Sequence, residues 1–181
     1  KLFSIKYTWV SISASTLVFA YIYLVNSTLK VSYEYYLIKS LEKKLLTRDI
    51  DDYADFYVNN RKLFISQLGK YRYGLMCLHF MHNQGIYPLC FDIMDVIQKL
   101  QLTDEEKRVF LIQQFNIYCD TQAVRSWENK YDSIKHLLKE EDKLYVESIV
   151  AYQKLNLDLS EELNQKLLAT TSNALYKQIA E

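Results

Sequence analysis

The sequence predicts an all-α protein: a single N-terminal transmembrane helix running into a soluble multi-helix bundle or array. Three observations carry that prediction. The 181 residues hold only three glycines and one proline, while the good helix formers Leu, Lys, Glu and Gln are abundant. Thr8 to Val25 reads TWVSISASTLVFAYIYLV, without charge, Pro or Gly, close to the ~20 residues that cross a bilayer as a helix. From Leu29 onward apolar residues recur at steps of three and four, the period of a helix with one buried stripe. The expected organisation is a membrane anchor over residues 1–28, with its transmembrane helix at about 7–25. An extended amphipathic helix over 29–46 continues it, and a soluble helical domain covers 47–181.

In the anchor, Lys1 and Lys6 precede the apolar run, Tyr7 and Trp9 mark one end, and Tyr21 and Tyr23 the other. A helix rises about 21 Å between Trp9 and Tyr23, which places these rings for the two headgroup layers. Ser11 with Ser15, and Thr16 with Ala20, are small pairs four apart, a spacing that lets another transmembrane helix approach closely. The apolar run is long for the core of a cleaved leader, so the anchor is expected to be retained. Lys30, Lys39, Lys43, Lys44 and Arg48 follow it, and that positive bias puts the soluble part on the cytosolic or matrix side. Cys77, Cys90 and Cys119 are odd in number and lack paired spacing, in keeping with a reducing compartment. The expected location is the mitochondrial inner membrane, single-span, with the soluble part facing the matrix; the alternative is a bacterial inner membrane.

Beyond the anchor, Leu29, Tyr33, Tyr36, Leu37, Leu41 and Leu45 line one face, and Glu34, Lys39, Glu42 and Lys43 fall on the other. Tyr33, Tyr36, Leu37, Leu41 and Leu45 are assigned as a partner-binding stripe, covered by the chain's own later helices or by another subunit. Asn26-Ser27-Thr28 is the one place before Leu46 able to cap a new helix. Asp49 is the expected N-cap of a second helix carrying Tyr53, Phe56, Tyr57, Phe64 and Leu68, and Gly69 and Gly74 flank a weak point. Asn83-Gln84-Gly85 stops the next helix and Pro88 opens another, with Ile93, Val96, Ile97 and Leu100 as its core face. Thr103 and Glu106 form a capping box ahead of Val109, Phe110, Ile112, Phe115 and Ile117. Helices over 121–139, 141–155 and 160–180 complete the domain.

Few chemistries fit. Lys plus Arg equals Asp plus Glu at 22 each, so no global field attracts nucleic acid. Three glycines leave no P-loop and no GxGxxG, and no Glu-x-x-His pair is present for a di-iron bundle. The acidic run from Asp49 to Asp55 fails as a calcium loop: Ala54 stands where the turn Gly belongs, and Asn60 replaces the bidentate Glu. His79 and His82, three apart on a helix, with Cys90 across the turn, are the candidate metal ligands; no metal site is assigned. Cys90 with a histidine is the only conceivable nucleophilic pair, and no orienting acid accompanies it. Asp92 and Asp95 suit a helix opening without catalysis.

Leu78, Met81, Gly85 and Pro88 stand at the spacing of a pentatricopeptide-repeat junction, but no second copy is visible in the residues, and no family is assigned. The expected function is a non-catalytic accessory or assembly subunit of a membrane complex, respiratory or ATP-synthesising. The alternatives are a bacterial secretion or motor component, or a membrane-tethered helical-repeat binding module, with RNA as one target. Expected partners are other complex subunits and the lipid bilayer, with no cofactor, no nucleic acid and no small-molecule substrate.

Overall fold

The computed structural model describes the backbone of residues 2–47, 50 and 52–180, and the side chains from Thr16 onward in those ranges, Val18 and Leu175 excepted. Among them are nine α-helices and no strand. They are α1 (Leu2–Thr47), α2 (Tyr53–Arg61), α3 (Gln67–Asn83), α4 (Tyr87–Ile97), α5 (Asp104–Asp120), α6 (Val124–Ile134), α7 (Glu140–Gln153), α8 (Leu157–Thr170) and α9 (Ala174–Ala180). A turn of 3-10 helix, Lys135–Leu137, links α6 to α7. The chain divides into two compact units, 1–77 and 78–181, the division falling inside α3.

Among the described residues no helix is long and apolar enough to cross a membrane. This corrects the expectation of an integral, single-span protein of the mitochondrial or bacterial inner membrane. The apolar run with described side chains lies between Thr16 and Val25; Asn26, Ser27 and Thr28 then interrupt it, and Lys30 and Glu34 follow. Of the residues assigned to the anchor, Thr16, Ala20, Tyr21 and Tyr23 are exposed on α1, and the side chains of Trp9, Ser11 and Ser15 lie outside the described residues. α1 passes through Asn26–Thr28 without a break. The Ser27 and Thr28 hydroxyls both donate back to the Leu24 carbonyl at 2.9 Å, so they are satisfied inside the helix instead of capping a new one.

The helix expected from Asp49 to Leu68 is two helices. Asp52 is the N-cap of α2, its Oδ1 accepting from the amides of Ala54 (2.7 Å) and Asp55 (3.0 Å); Asp49 lies outside the described residues. α2 ends at Arg61, and Phe64 is buried in the turn that follows, its ring stacked 4.7 Å from Tyr73. Tyr57 stacks near the same tyrosine at 5.8 Å, and the Tyr73 hydroxyl donates to the Phe56 carbonyl at 3.1 Å. Gly69 and Gly74 lie within α3 and do not interrupt it.

The second unit repeats one helical hairpin. Gly85, Gln122 and Leu155 have φ of 70°, 57° and 61°, each two residues ahead of the next helix (α4, α6 and α8). In each turn the following amide reaches back five residues: Ile86 to Met81 at 2.9 Å, Ala123 to Tyr118 at 2.8 Å and Asn156 to Ala151 at 3.0 Å. That is the Schellman helix stop, and it recurs about every 35 residues, the period of helix-pair arrays. Seven positions before the left-handed residue stand Leu78, Phe115 and Ser148, and five after it Cys90, Trp127 and Ser160, none more than 5% exposed. These two positions meet in all three hairpins by different chemistry. The Cys90 thiol lies 4.0 Å from the Leu78 carbonyl, the Phe115 and Trp127 rings are 5.4 Å apart, and the Ser160 hydroxyl donates to the Ser148 carbonyl at 3.0 Å. The same helix-stop geometry thus occurs three times among the described residues, although no repeat spacing is visible in the residues.

The segment expected as one helix over 160–180 breaks at Thr171, which is extended (φ −84°, ψ 140°). Its hydroxyl donates to Glu141 at 2.7 Å and accepts from the Asn173 amide at 3.0 Å. The turn brings Tyr176 back to α7, where its ring stacks 4.8 Å from Tyr145 and its hydroxyl donates to Asp142 Oδ1 at 2.7 Å. Asp142 is fully buried. It also accepts from Arg108 Nη1 at 3.0 and 2.9 Å and from the Lys139 amide at 3.0 Å. Around this group Phe115, Trp127, Leu144, Val146, Leu163 and Leu167 form the core of the unit.

Two stability outcomes follow from these elements. Leu155 is 83% exposed, so Leu155→Gly removes left-handed strain of about 1 kcal/mol with little packing lost, and raises the urea midpoint. Gly85→Ala, with the same φ sign, lowers it. Asp142→Ala leaves Arg108 and Tyr176 without their acceptor and costs about 3 kcal/mol, read as a lower urea midpoint.

Candidate interaction surface

Among the described residues, α1 carries more exposed large apolar side chains than any other helix. Every described side chain from Thr16 to Tyr33 is exposed except half-buried Ser27. Leu17, Phe19, Tyr21, Tyr23 and Leu24 stand 62–74% exposed, and Leu29 and Tyr33 are each 62% exposed. Tyr35 and Tyr36 follow, their rings edge to face at 5.9 Å. Soluble chains seldom leave so many large apolar groups side by side without a partner for them.

The assigned stripe splits along its length. Leu41 and Leu45 are buried and Leu37 half-buried within the chain's own fold, whereas Tyr33 and Tyr36 are open, Tyr36 at 71%. The boundary is set by Glu34. Its place on the polar face predicts a solvated residue, yet it is 6% exposed. Its carboxylate accepts from the amides of Ile65 (2.7 Å) and Ser66 (2.9 Å) and from the Ser66 hydroxyl. Ser66 in turn takes the Gly69 amide at 2.8 Å. Glu34 thus stands at the start of α3, where amides lack helical acceptors and negative charge is favoured. A Cβ at Gly69 would fall on this carboxylate, which explains a glycine inside a helix despite its propensity cost of about 1 kcal/mol.

Burial alone would raise the Glu34 carboxyl. The Ser66 hydroxyl, the amides of Ser66 and Ile65 and nearby Lys70 outweigh it and hold the group below its ordinary 4.5. A depressed carboxylate contributes stability that is complete above its ordinary value and fades as pH falls through the folded one.

The candidate metal ligands are not brought together. His82 is occupied on both ring nitrogens: Nε2 lies 2.7 Å from Asp120 Oδ2, and Nδ1 accepts from Gln113 Nε2 at 3.1 Å. His79 is exposed, 3.3 Å from the Asn83 amide nitrogen. Cys90 is buried against the Leu78 carbonyl, and burial pushes its thiol up to about 11. Burial likewise takes Cys77 up to about 12, and burial with Asp120 takes Cys119 to about 12. Such thiols are poor nucleophiles at neutral pH. No group of three His, Cys, Asp or Glu able to hold a metal occurs among the described residues.

Comparison with protein-family models, curated proteins and solved structures finds no match. Glu34, Arg108, Asp142 and Tyr176 were not singled out in the residues. Each acts on a partner about 30 positions away, and no local spacing announces such a bond. The Thr103–Glu106 box, by contrast, is local and present, with Thr103 N donating to Glu106 at 2.8 Å and the Glu106 amide to Thr103 Oγ1 at 3.3 Å.

In acid titration followed by circular dichroism, the native chain loses stability as pH drops below about 4.5. Glu34→Gln is less stable at neutral pH and shows a shallower loss below that value; parallel acid curves would contradict the role given to Glu34.

Proposed function

We propose that the chain is a non-catalytic assembly subunit whose α1 docks a helix of another protein, with the helical hairpins of residues 78–181 as scaffold. The observation that carries this reading is the uncovered apolar and aromatic face of α1 between Leu17 and Tyr36. An amphipathic helix meets such a face through anchors spaced three and four apart, and Leu29, Tyr33 and Tyr36 have that spacing. Tyrosine suits the role because its ring buries area while its hydroxyl keeps a hydrogen bond.

The flanking charge defines the partner. Lys30, Lys39, Lys43 and Lys44 are exposed on α1, while Glu42 is held by Lys39 at 2.7 Å and Glu34 is turned to Ser66. The free charge on this helix is basic, so a second copy laid in parallel would repel it, and a partner helix edged with Asp or Glu is favoured. The row of hairpins supports a scaffold because stacked helix pairs give an extended surface for binding.

The test places a photo-crosslinking amino acid at Tyr36, with Tyr152, also exposed, as control. A defined protein crosslinked from position 36 and not from 152, and reduced about tenfold in the Leu29→Ser/Tyr33→Ser variant with unchanged melting, supports the reading. No crosslink at 36, or one indifferent to the double substitution, overturns it.

A further inference from the structure

We propose that the cavity formed by residues 98–137 binds a small apolar monocarboxylate. The cavity measures about 290 Å³, the low end of ligand-site sizes and suited to an acid of about eight carbons. Leu102, Phe110, Leu111, Ile134 and Leu137 supply its apolar wall. Three polar side chains line it without hydrogen-bond or ion-pair partners among the described residues: Gln98 and Lys130, both exposed, and Gln114. Gln114 is only 6% exposed, lines the cavity, and its amide makes no hydrogen bond among the described residues. Its amide atoms keep contact with solvent at the cavity wall, and a ligand oxygen would take the place of that water as their partner. Lys130, on α6, lines the same cavity and forms no ion pair among the described residues. The neighbouring lysine, Lys107, is 3.2 Å from Asp104.

The charge pattern selects the ligand. Two lysines and no carboxylate line the cavity, so its charge favours an anion, and the apolar wall favours one with a hydrocarbon body over an inorganic ion. A carboxylate accepts from both the Lys130 ammonium and the Gln114 amide, a pair of bonds one of which is charge-assisted. The larger cavity, of about 590 Å³ between α6, α7 and α8, lacks this selectivity. Its charges are already matched: Glu128 pairs with Lys154, Asp132 with Lys135, and Glu147 accepts from Tyr131 at 2.8 Å.

The test titrates the full chain with octanoate by calorimetry, with octanol and inorganic phosphate in parallel, and follows the Leu111 and Ile134 methyl resonances. Saturable one-to-one binding of octanoate that moves those methyls is expected, with octanol about tenfold weaker and phosphate without effect. Lys130→Gln weakens octanoate about tenfold, Lys130→Arg restores it, and Lys166→Gln, on α8, changes nothing. Gln114→Leu weakens binding while leaving the chain at least as stable, so lost binding there is not lost fold. Absent or unsaturable octanoate binding, equal binding of octanol, or full affinity in Lys130→Gln would overturn the proposal.

Discussion

A charge that cannot reach water organises the C-terminal unit. Asp142 is fully buried, and an isolated carboxylate at such a site would be prohibitively costly. It is tolerable because donors converge on it from three places: Arg108 on α5, the Lys139 amide ahead of α7, and Tyr176 on α9. Each donor has its own tie. Arg108 is also gripped by Glu105 at 2.6 and 3.0 Å, and that bond, ahead of Asp142, holds the guanidinium above its ordinary range. Burial first, and then the bond to Asp142, raises the Tyr176 phenol well above its usual value. α9 has only seven residues, too few to persist alone as a helix in water, and Tyr176 is what docks it.

The three hairpins show how one backbone solution tolerates different residues. The left-handed stop is cheap for Gly85 and costs about 1 kcal/mol at Gln122 and Leu155. The two buried positions that close each hairpin hold a thiol on a carbonyl, two aromatic rings, and a hydroxyl on a carbonyl. The site needs a pair that fills the space between the two helices. Many pairs meet that demand, which is why the repetition is clear in φ values and contacts and faint in residue identity.

α1 carries two different uses of one apolar face. From Leu37 onward it is covered by its own chain; before Glu34 it is not. The carboxylate at the boundary is turned to the start of α3, and that bond fixes where intramolecular burial begins. The exposed portion, from Leu17 to Tyr33, is not covered by the described residues of its own chain.

Helix content, the Thr103–Glu106 box and the Gly85 stop could be read from the residues, because each depends on neighbours within about five positions. The same reasoning ran two helices too long. It carried one helix from Asp49 to Leu68 and one from 160 to 180, where Glu34 and Asp142 reward a break by bonding across about 30 residues. It also read an apolar run as a membrane span, whereas among the described residues no helix has the length and apolarity to cross a membrane. Local chemistry sets which segments coil; only the folded chain decides which polar groups lose water, and the bonds those groups then require determine where the helices stop.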